Sequence, residues 1–398
     1  MAAPAGPTWL TRGHPAALAI VGRMVVGHAP HAVLLVGPPA VGKTTLADDL
    51  AAGLLCVATD PADRPCRACR ACRMVASGNH PDLHRLGPEG PGGQVVIGGS
   101  GEAGGPRGVR DLVRELALLP VEGGARVAIV EGAAQLNEDA QNALLKTLEE
   151  PPAGVTIVLC ADREDPLLPT VRSRCARIRL GPLGVRDIEA WLADIGAADP
   201  ADAARYARLA DGRPGVAMAY ARAPEAAAIR DEIARSLLDL LSVGRARRLA
   251  AARELLARAK DLAEALVGPA APSTPSRTPA ARRVEAAASD DAVDPAEASP
   301  VGKAAPAERR RAARYLLSIW RDLARDLAVV GVGGRRAVND VALLEEIEAA
   351  ASRLPVGAGT AFLVRLDAVA ELVAGNVSPE LAVDVLVLAW PHPGRAAA

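Results

Sequence analysis

Short apolar runs alternate with segments of helical periodicity over the first 180 residues. Runs typical of buried strands occupy residues 32–36, 126–130, 155–160 and 175–180. Strands that alternate with helices indicate a parallel sheet covered by helices. The pattern therefore predicts an α/β domain, a parallel sheet with helices on both faces, over residues 1–180.

Beyond residue 180 the apolar positions follow helical spacing alone. This predicts a small helical unit at 181–228 and further helices over residues 229–267 and 307–398. The intervening residues 268–306 hold seven prolines and no Leu, Ile or aromatic residue. Such a segment cannot bury enough apolar surface to offset the entropy of ordering it. We therefore expect a disordered linker or insertion there.

Length and composition agree with a chain of several helical and α/β domains. The 398 residues suffice for two or three domains, and 50% are hydrophobic although only 2% are aromatic. The net charge of −1 gives no overall field that would draw the chain to nucleic acid. Neither a signal peptide nor an apolar stretch of membrane length is visible, so we expect a reducing, cytoplasmic compartment and no membrane contact.

Residues 37–44 form a complete phosphate-binding loop. They read Gly-Pro-Pro-Ala-Val-Gly-Lys-Thr, which matches G-x-x-x-x-G-K-[ST] between a strand-type run and a helical segment. Backbone N–H groups would surround the phosphates, Lys43 would contact the β- and γ-phosphates, and Thr44 would contact Mg²⁺. The predicted ligand is ATP or ADP with Mg²⁺, and the alternative is a glycine turn with an ordinary surface lysine. The predicted contact residues are Gly37, Pro38, Pro39, Ala40, Val41, Gly42, Lys43, Thr44 and Thr45.

The acidic residues that hydrolysis requires are incomplete. In P-loop ATPases a second buried strand usually ends in two acids, one on Mg²⁺ and one that polarises the attacking water. Here that strand ends in Glu131 and Gly132. Glu131 is the candidate Mg²⁺ ligand, whereas Gly132 has no side chain to orient water. We expect slow hydrolysis or none, unless the working acid lies elsewhere, for example at Asp139 or Glu149.

Four of the six cysteines are clustered directly after the P-loop helix. Cys56, Cys66, Cys69 and Cys72 have the spacing C-x9-C-x2-C-x2-C, which lets four thiolates converge on one ion. A closed shell of four sulfur ligands predicts a structural zinc module at residues 56–72. The alternatives are an iron–sulfur cluster or incidental thiols, and a reducing compartment argues against disulfides. The two remaining cysteines are predicted to be small core residues; they are Cys160 and Cys175.

Three motifs together resemble those of a known family. They are the run Asn-Ala-Leu-Leu-Lys-Thr-Leu-Glu-Glu-Pro-Pro at 142–152, the run Pro-Thr-Val-Arg-Ser-Arg-Cys at 169–175, and the cysteine cluster followed by Asn-His-Pro-Asp at 79–82. With the incomplete acidic site, they are similar to the delta-prime subunits of bacterial DNA polymerase III clamp loaders, which are AAA+ proteins. The likeness covers about residues 1–222 and is generic beyond them.

The resemblance implies a three-domain AAA+ chain, in which residues 181–228 form a helical lid after the α/β domain and residues 229–267 and 307–398 form an all-helical collar. The collar would join gamma/tau and delta subunits in a five-membered ring. That ring opens the sliding clamp and places it on primer–template DNA. The chain would be part of the DNA polymerase III holoenzyme without polymerase activity and with little or no ATPase activity of its own. As the stator, it would supply the arginine of its Ser-Arg-Cys motif, Arg174, to the ATP site of a neighbouring subunit. The alternative for Arg174 is a loop arginine that pairs with a local carboxylate.

Further departures from a motor subunit favour this role. The lid turn that often reads Gly-x-x-Arg in the family has Gly215 at the place of the arginine, and the strand that often ends in a polar phosphate sensor reads Cys160-Ala161. The main alternative function is an active ATPase motor of the gamma/tau type or a related AAA+ remodeller. A third is a zinc-bearing nucleotide switch outside replication. The complete P-loop leaves nucleotide binding open in each.

Overall fold

The computed structural model describes residues 6–27, 29–88, 94–98, 107–122, 124–267, 306–375 and 377–393. The chain divides into two compact units, Met1–Arg222 and Ala223–Ala398. The linker predicted at 268–306 lies outside the described residues except for Pro306, which begins a helix. The boundaries predicted between α/β domain, lid and collar stay predictions.

The N-terminal unit contains a five-stranded parallel sheet. Its strands are β1 Ala32–Val36, β2 Leu83–Leu86, β3 Arg126–Val130, β4 Val155–Ala161 and β5 Ala176–Arg179. They lie in the order β2-β3-β4-β1-β5, and every neighbouring pair is parallel. Four of the five strands are confirmed at their predicted places, and β2 was missed. Its sequence Leu-His-Arg-Leu is apolar only at its two ends, so it lacks the apolar run of a typical buried strand. The two polar residues in the middle, His84 and Arg85, pair with carboxylates.

Helices cover both faces of this sheet, as predicted. Because successive residues of a strand point to opposite faces, Val33 and Leu35 enter one core and Leu34 enters the other. The first core also contains residues of the helices that flank the P-loop, and the second contains residues of the helices that flank β3. The α-helices of this unit are α1 Pro15–Val26, α2 Lys43–Leu55, α3 Arg70–Ala76, α4 Val109–Leu116, α5 Glu138–Glu149, α6 Pro169–Arg172, α7 Val185–Asp194, α8 Pro200–Leu209 and α9 Pro214–Arg222.

The C-terminal unit is all-helical over its described residues, as predicted. Its α-helices are α10 Pro224–Asp239, α11 Arg245–Val267, α12 Pro306–Gly331, α13 Leu344–Ala351, α14 Ala358–Gly375 and α15 Pro379–Ala389. Trp320, Phe362 and Trp390 form an aromatic cluster with ring centroids 4.5–5.6 Å apart. The indole N–H of Trp390 donates to the Leu237 carbonyl at 2.8 Å. In the described part of the chain, none of the helices combines the length and apolarity that a bilayer crossing requires.

A buried carboxylate fixes the edge of the sheet beside β2. Asp82 is 1% exposed and accepts hydrogen bonds from the backbone N–H groups of Val121 at 2.7 Å and Glu122 at 2.9 Å. The buried Arg126 guanidinium lies 3.3 Å away. Burial opposes ionisation of Asp82, but the two N–H donors and Arg126 outweigh it, so its pKa lies below the ordinary value. The Asn-His-Pro-Asp motif therefore has a structural role in joining β2 to β3.

We expect Asp82→Asn to lower the free energy of unfolding of the N-terminal unit by about 2–4 kcal/mol at pH 7, because a buried arginine loses its counter-ion. A lowered pKa makes this stabilisation present above the unfolded-state pKa of about 4 and lost as the pH falls through the folded-state value. Urea unfolding followed by circular dichroism should therefore show a difference from wild type that shrinks below about pH 4.

Asp194→Asn is the control, since Asp194 is exposed at the end of α7. It should change the free energy of unfolding by less than about 0.5 kcal/mol. Equal losses in the two variants would contradict the role assigned to Asp82.

Candidate functional site

The order of the strands brings the residues after β1, β3 and β4 to one edge of the sheet. The carboxyl ends of parallel strands meet at the same edge, and β4 lies between β3 and β1. The P-loop follows β1, Glu131 follows β3, and Asp162 follows β4. Val36 pairs in register with Ala161, and the N–H of Gly37 donates to the Ala161 carbonyl at 3.2 Å. The start of the P-loop is thus fixed beside Asp162.

The P-loop itself has the conformation that turns a strand into a helix. Ala40 and Gly42 both adopt left-handed backbone angles, with φ of 61° and 110°. At φ of 110° a side chain would be strained, which explains the glycine immediately before α2 begins at Lys43. Thr44 is exposed and Thr45 is half-buried at the start of this helix.

Lys43 is bound by its own chain. The side chain is 9% exposed, and its ammonium donates to the carbonyl oxygens of Gly37 and Pro38, each at 2.7 Å. It also donates to Oδ1 of Asp162 at 2.7 Å. The sequence reasoning missed Asp162, because the sequence shows only that it follows a strand-type run, and the strand order is needed to place it beside the P-loop.

Glu131, the predicted Mg²⁺ ligand, lies at the same edge and is paired with an arginine. Its carboxylate is 3.1 Å from Arg85 of β2, and Arg85 also pairs with Asp48 of α2. Burial raises the pKa of Asp48, with Arg85 opposing it. Burial, followed by the charge of Glu131, raises the pKa of the nearby Cys160 thiol to about 12, in keeping with its prediction as a core residue. Arg85 was not identified from the sequence because β2 was missed.

Local geometry favours glycine at the two positions where acid and arginine are lacking. Gly132 has φ of 64°, and an added Cβ would lie 2.9 Å from Oε1 of Gln135. The N–H of Gly215 donates to the Ala40 carbonyl at 2.9 Å, and an added Cβ would lie 3.0 Å from that oxygen. The lack of an acid at position 132 and of an arginine at position 215 therefore each has a local cause. Gly132 takes a left-handed turn, and Gly215 packs against the P-loop.

Arg174 lies away from the P-loop. It precedes β5, so it is at the amino edge of the sheet, opposite the edge that carries the P-loop. Its guanidinium is 2.6 Å from Oε1 of Glu149 and donates to the Thr170 carbonyl at 2.9 Å. About a third of the side chain is exposed. The structure thus brings the P-loop and Glu131 together and places Arg174 elsewhere.

The four clustered cysteines converge as the spacing predicts. Their sulfur atoms all lie within 4.8 Å of one another, with Cys56 3.5 Å from Cys66 and 3.9 Å from Cys69. Those separations match the distance of about 3.8 Å between sulfurs on one tetrahedral ion with Zn–S bonds of about 2.3 Å. They are far too long for disulfide bonds, which are about 2.05 Å. The cluster can therefore hold a metal ion.

Backbone N–H groups point at two of these sulfurs. The N–H of Cys69 donates to the sulfur of Cys66 at 3.4 Å, and the N–H of Cys72 donates to that of Cys69 at 3.4 Å. Burial opposes ionisation of Cys69, but hydrogen bonds from the backbone N–H groups of Cys72 and Val57 and from the neighbouring thiols outweigh it and lower its pKa to about 7. Burial raises the pKa of Cys72. N–H donors stabilise thiolate, the form that binds metal.

The cysteine module is connected to the P-loop helix and to the N-terminal segment. Asp49 of α2 is fully buried and accepts the backbone N–H groups of residues 10–11 at 3.0 and 2.8 Å. It also pairs with Arg67, which lies between the cysteines. The same N-terminal segment continues to His14, whose ring nitrogen is 3.0 Å from the Val41 carbonyl in the P-loop. The carboxylate of Asp49 thus connects the P-loop helix α2, the N-terminal segment and the cysteine module.

Comparison with known proteins gives a consistent relationship for the N-terminal unit. The sequence profile of the family described as "DNA polymerase III, delta subunit" matches residues 17–184. The chain is 37% identical over 176 residues to DNA polymerase III subunit delta' of Pseudomonas aeruginosa, covering 44% of this chain and 50% of the relative. It is 34% identical over 201 residues to subunit delta' of Escherichia coli, covering 50% and 57%.

Two further likenesses are more distant. Subunit tau of Escherichia coli is 31% identical over 177 residues, covering 44% of this chain and 26% of the relative. A gamma subunit-related protein from Thermotoga maritima superimposes with a TM-score of 0.40 at 17% identity, covering 93% of this chain and 97% of that one. The chain spans about half the length of the curated delta' relatives that it matches.

Proposed function

Residues 17–184 belong to the delta-prime family of DNA polymerase III subunits, and on that premise we propose that the chain is the stator of a bacterial clamp loader. In this role it joins gamma/tau and delta subunits in a pentameric ring that loads the sliding clamp on primed DNA. It does not hydrolyse ATP itself, and it donates Arg174 to the ATP site of a neighbouring subunit. Relatives among the gamma and tau subunits support an assembly of similar chains.

The observation that carries this proposal is the position of Arg174 relative to the P-loop. Arg174 precedes β5 and the P-loop follows β1, and the two strands run parallel side by side. A strand of five residues spans roughly 16 Å, which is longer than an arginine side chain. Arg174 therefore cannot reach a phosphate in its own P-loop, so any phosphate it binds must belong to another chain.

The ion pair with Glu149 is compatible with that role. Both side chains are partly exposed, and ion pairs between such groups typically contribute about 0.2–1 kcal/mol. A triphosphate presented by a neighbour carries more charge and can displace a single carboxylate. We infer that Glu149 holds the arginine while the chain is free and releases it on assembly. A guanidinium supplied in trans then neutralises the charge that develops during phosphoryl transfer.

The geometry around the P-loop supports a non-hydrolysing subunit. Gly132 offers no acid to orient water, and Gly215, which packs closely against Ala40 of the P-loop, offers no arginine in the lid turn. Nucleotide binding without turnover, as ATP or ADP with Mg²⁺, is compatible with this arrangement.

The complete P-loop is the observation that favours an ATPase motor instead. A motor needs another acid near the P-loop. Glu149 lies at the amino edge with Arg174, and Asp139 is exposed in the first turn of α5. Glu149 is therefore at the opposite edge from the P-loop, and the exposure of Asp139 does not favour a water-orienting role, so the stator is the better supported function.

We further propose that the cysteine cluster holds structural zinc. Four sulfur ligands close the coordination shell, so the ion has no open position for substrate or water. Its effect is to fix residues 56–72, and through Arg67 and Asp49 it supports the middle of α2. Iron–sulfur clusters also use four cysteines, and metal analysis separates the two.

Arg174→Ala is expected to lower the steady-state ATP turnover of a loader reconstituted with gamma/tau, delta, clamp and primed DNA. Arginines supplied in trans contribute about 10³–10⁵ to the rate in well-studied cases, so turnover that requires this site should fall at least severalfold. Arg174→Lys should recover little, because a lysine lacks the planar fork of donors.

Two variants serve as controls for this measurement. Arg172→Ala removes an arginine two residues away on α6, and Lys43→Ala removes the P-loop lysine of this chain. Both should leave turnover close to that of wild type. Full turnover with Arg174→Ala would exclude the proposed finger, and a large loss with Lys43→Ala would favour the motor.

Freshly purified protein is expected to contain about one equivalent of zinc by elemental analysis, and Cys69→Ser should reduce it strongly. The same variant should lower the melting temperature of the N-terminal unit, because ion binding is coupled to folding. Cys175→Ala removes a cysteine outside the cluster and should leave the zinc content unchanged. Less than about half an equivalent in the wild type, or iron in its place, would contradict the assignment.

A further inference from the structure

The donors of the P-loop lysine are fully used within the chain. An ammonium group has three N–H donors, and those of Lys43 are accepted by the carbonyls of Gly37 and Pro38 and by the carboxylate of Asp162, each at 2.7 Å. The two carbonyls belong to the loop itself and fix the direction of the ammonium. The third donor is the one left for an external anion, and Asp162 accepts it.

Asp162 is held in this position by the sheet. It directly follows β4, whose last residue, Ala161, pairs in register with Val36 and accepts the N–H of Gly37. The backbone that carries this carboxylate is therefore joined to the same strand pair as the P-loop. This distinguishes it from a surface acid that meets a lysine by chance.

The carboxylate of Asp162 opposes the binding of a phosphate to Lys43 in two ways. It takes the lysine donor that a phosphate oxygen needs, and its negative charge repels the phosphate that would approach the same ammonium. Lys43 is 9% exposed, so water screens the competition only in part, while the half-exposed Asp162 limits its strength.

The neighbouring acid at this edge is also engaged by the chain. Glu131, which would bind the Mg²⁺ of a nucleotide, is paired with Arg85. Both charged groups that a magnesium nucleotide requires thus already have partners of opposite charge.

We propose that Asp162 is a built-in competitor of phosphate, which holds the P-loop lysine and keeps the affinity of this chain for nucleotides low. The inference rests on the nucleotide site assigned under the proposed function and specifies how that site is regulated. It also accounts for a subunit that retains a complete P-loop without acting as a motor: the loop keeps its shape by binding an internal anion.

The test is equilibrium binding of a fluorescent ADP and a fluorescent non-hydrolysable ATP analogue, with Mg²⁺, to the isolated full-length chain. Asp162→Asn keeps the size of the side chain and removes its charge. We expect this variant to bind both nucleotides about tenfold more tightly than wild type. Adding Lys43→Ala to Asp162→Asn should abolish the gain, because the released donor belongs to the lysine.

Asp165→Asn is the matched control. It makes the same change of charge three residues farther along the same loop, at an exposed side chain. Its affinity should stay within about twofold of wild type, since the two charges lie at different distances from Lys43. Thermal melts of the variants establish that each is folded before affinities are compared.

Three results would overturn the inference. The first is unchanged binding by Asp162→Asn, and the second is weaker or undetectable binding by that variant. The third is an equal gain in affinity from Asp165→Asn. The measurement needs neither assembly nor Arg174, so its failure leaves the stator role intact. Conversely, a tenfold gain by Asp162→Asn together with full loader turnover by Arg174→Ala would overturn the stator and leave the inference in place.

Discussion

The parallel run of the five strands is the constraint on which the rest of the N-terminal unit depends. Because every strand points the same way, the loops after the strands meet at one edge and the loops before them meet at the other. The first edge carries the P-loop, Glu131 and Asp162, and the second carries Arg174 with Glu149. Lys43 and Arg174 therefore lie at opposite edges of the sheet and cannot contact the same nucleotide.

The two edges differ in how firmly their cations are held. Lys43 is buried and bound by two carbonyls and by the carboxylate of Asp162, so an external anion must displace that carboxylate. Arg174 is more exposed and is paired with a carboxylate on the surface of α5, which an incoming triphosphate can replace. In the proposed assembly this asymmetry directs the chain toward the nucleotide of its neighbour. The cysteine module contacts α2 through Arg67 and Asp49.

Features with a local signal could be predicted from the sequence, and features made by tertiary pairing could not. The P-loop, the four cysteines and the apolar strands each depend on residues close together in the chain, and all lie where the sequence placed them. Strand β2 was missed because its two central residues, His84 and Arg85, are polar. They pair with carboxylates that are distant in the sequence, on α4, on α2 and directly after β3. Asp162 reads as a surface acid until the strand order places β4 beside β1.

The most direct test of the account is an electron cryomicroscopy structure of the assembled loader with clamp, primed DNA and a non-hydrolysable ATP analogue. The account predicts that the guanidinium of Arg174 has left Glu149 and lies within hydrogen-bond distance, about 3 Å, of the terminal phosphate on the neighbouring subunit. Arg174 still paired with Glu149 and remote from every phosphate in the ring would contradict it.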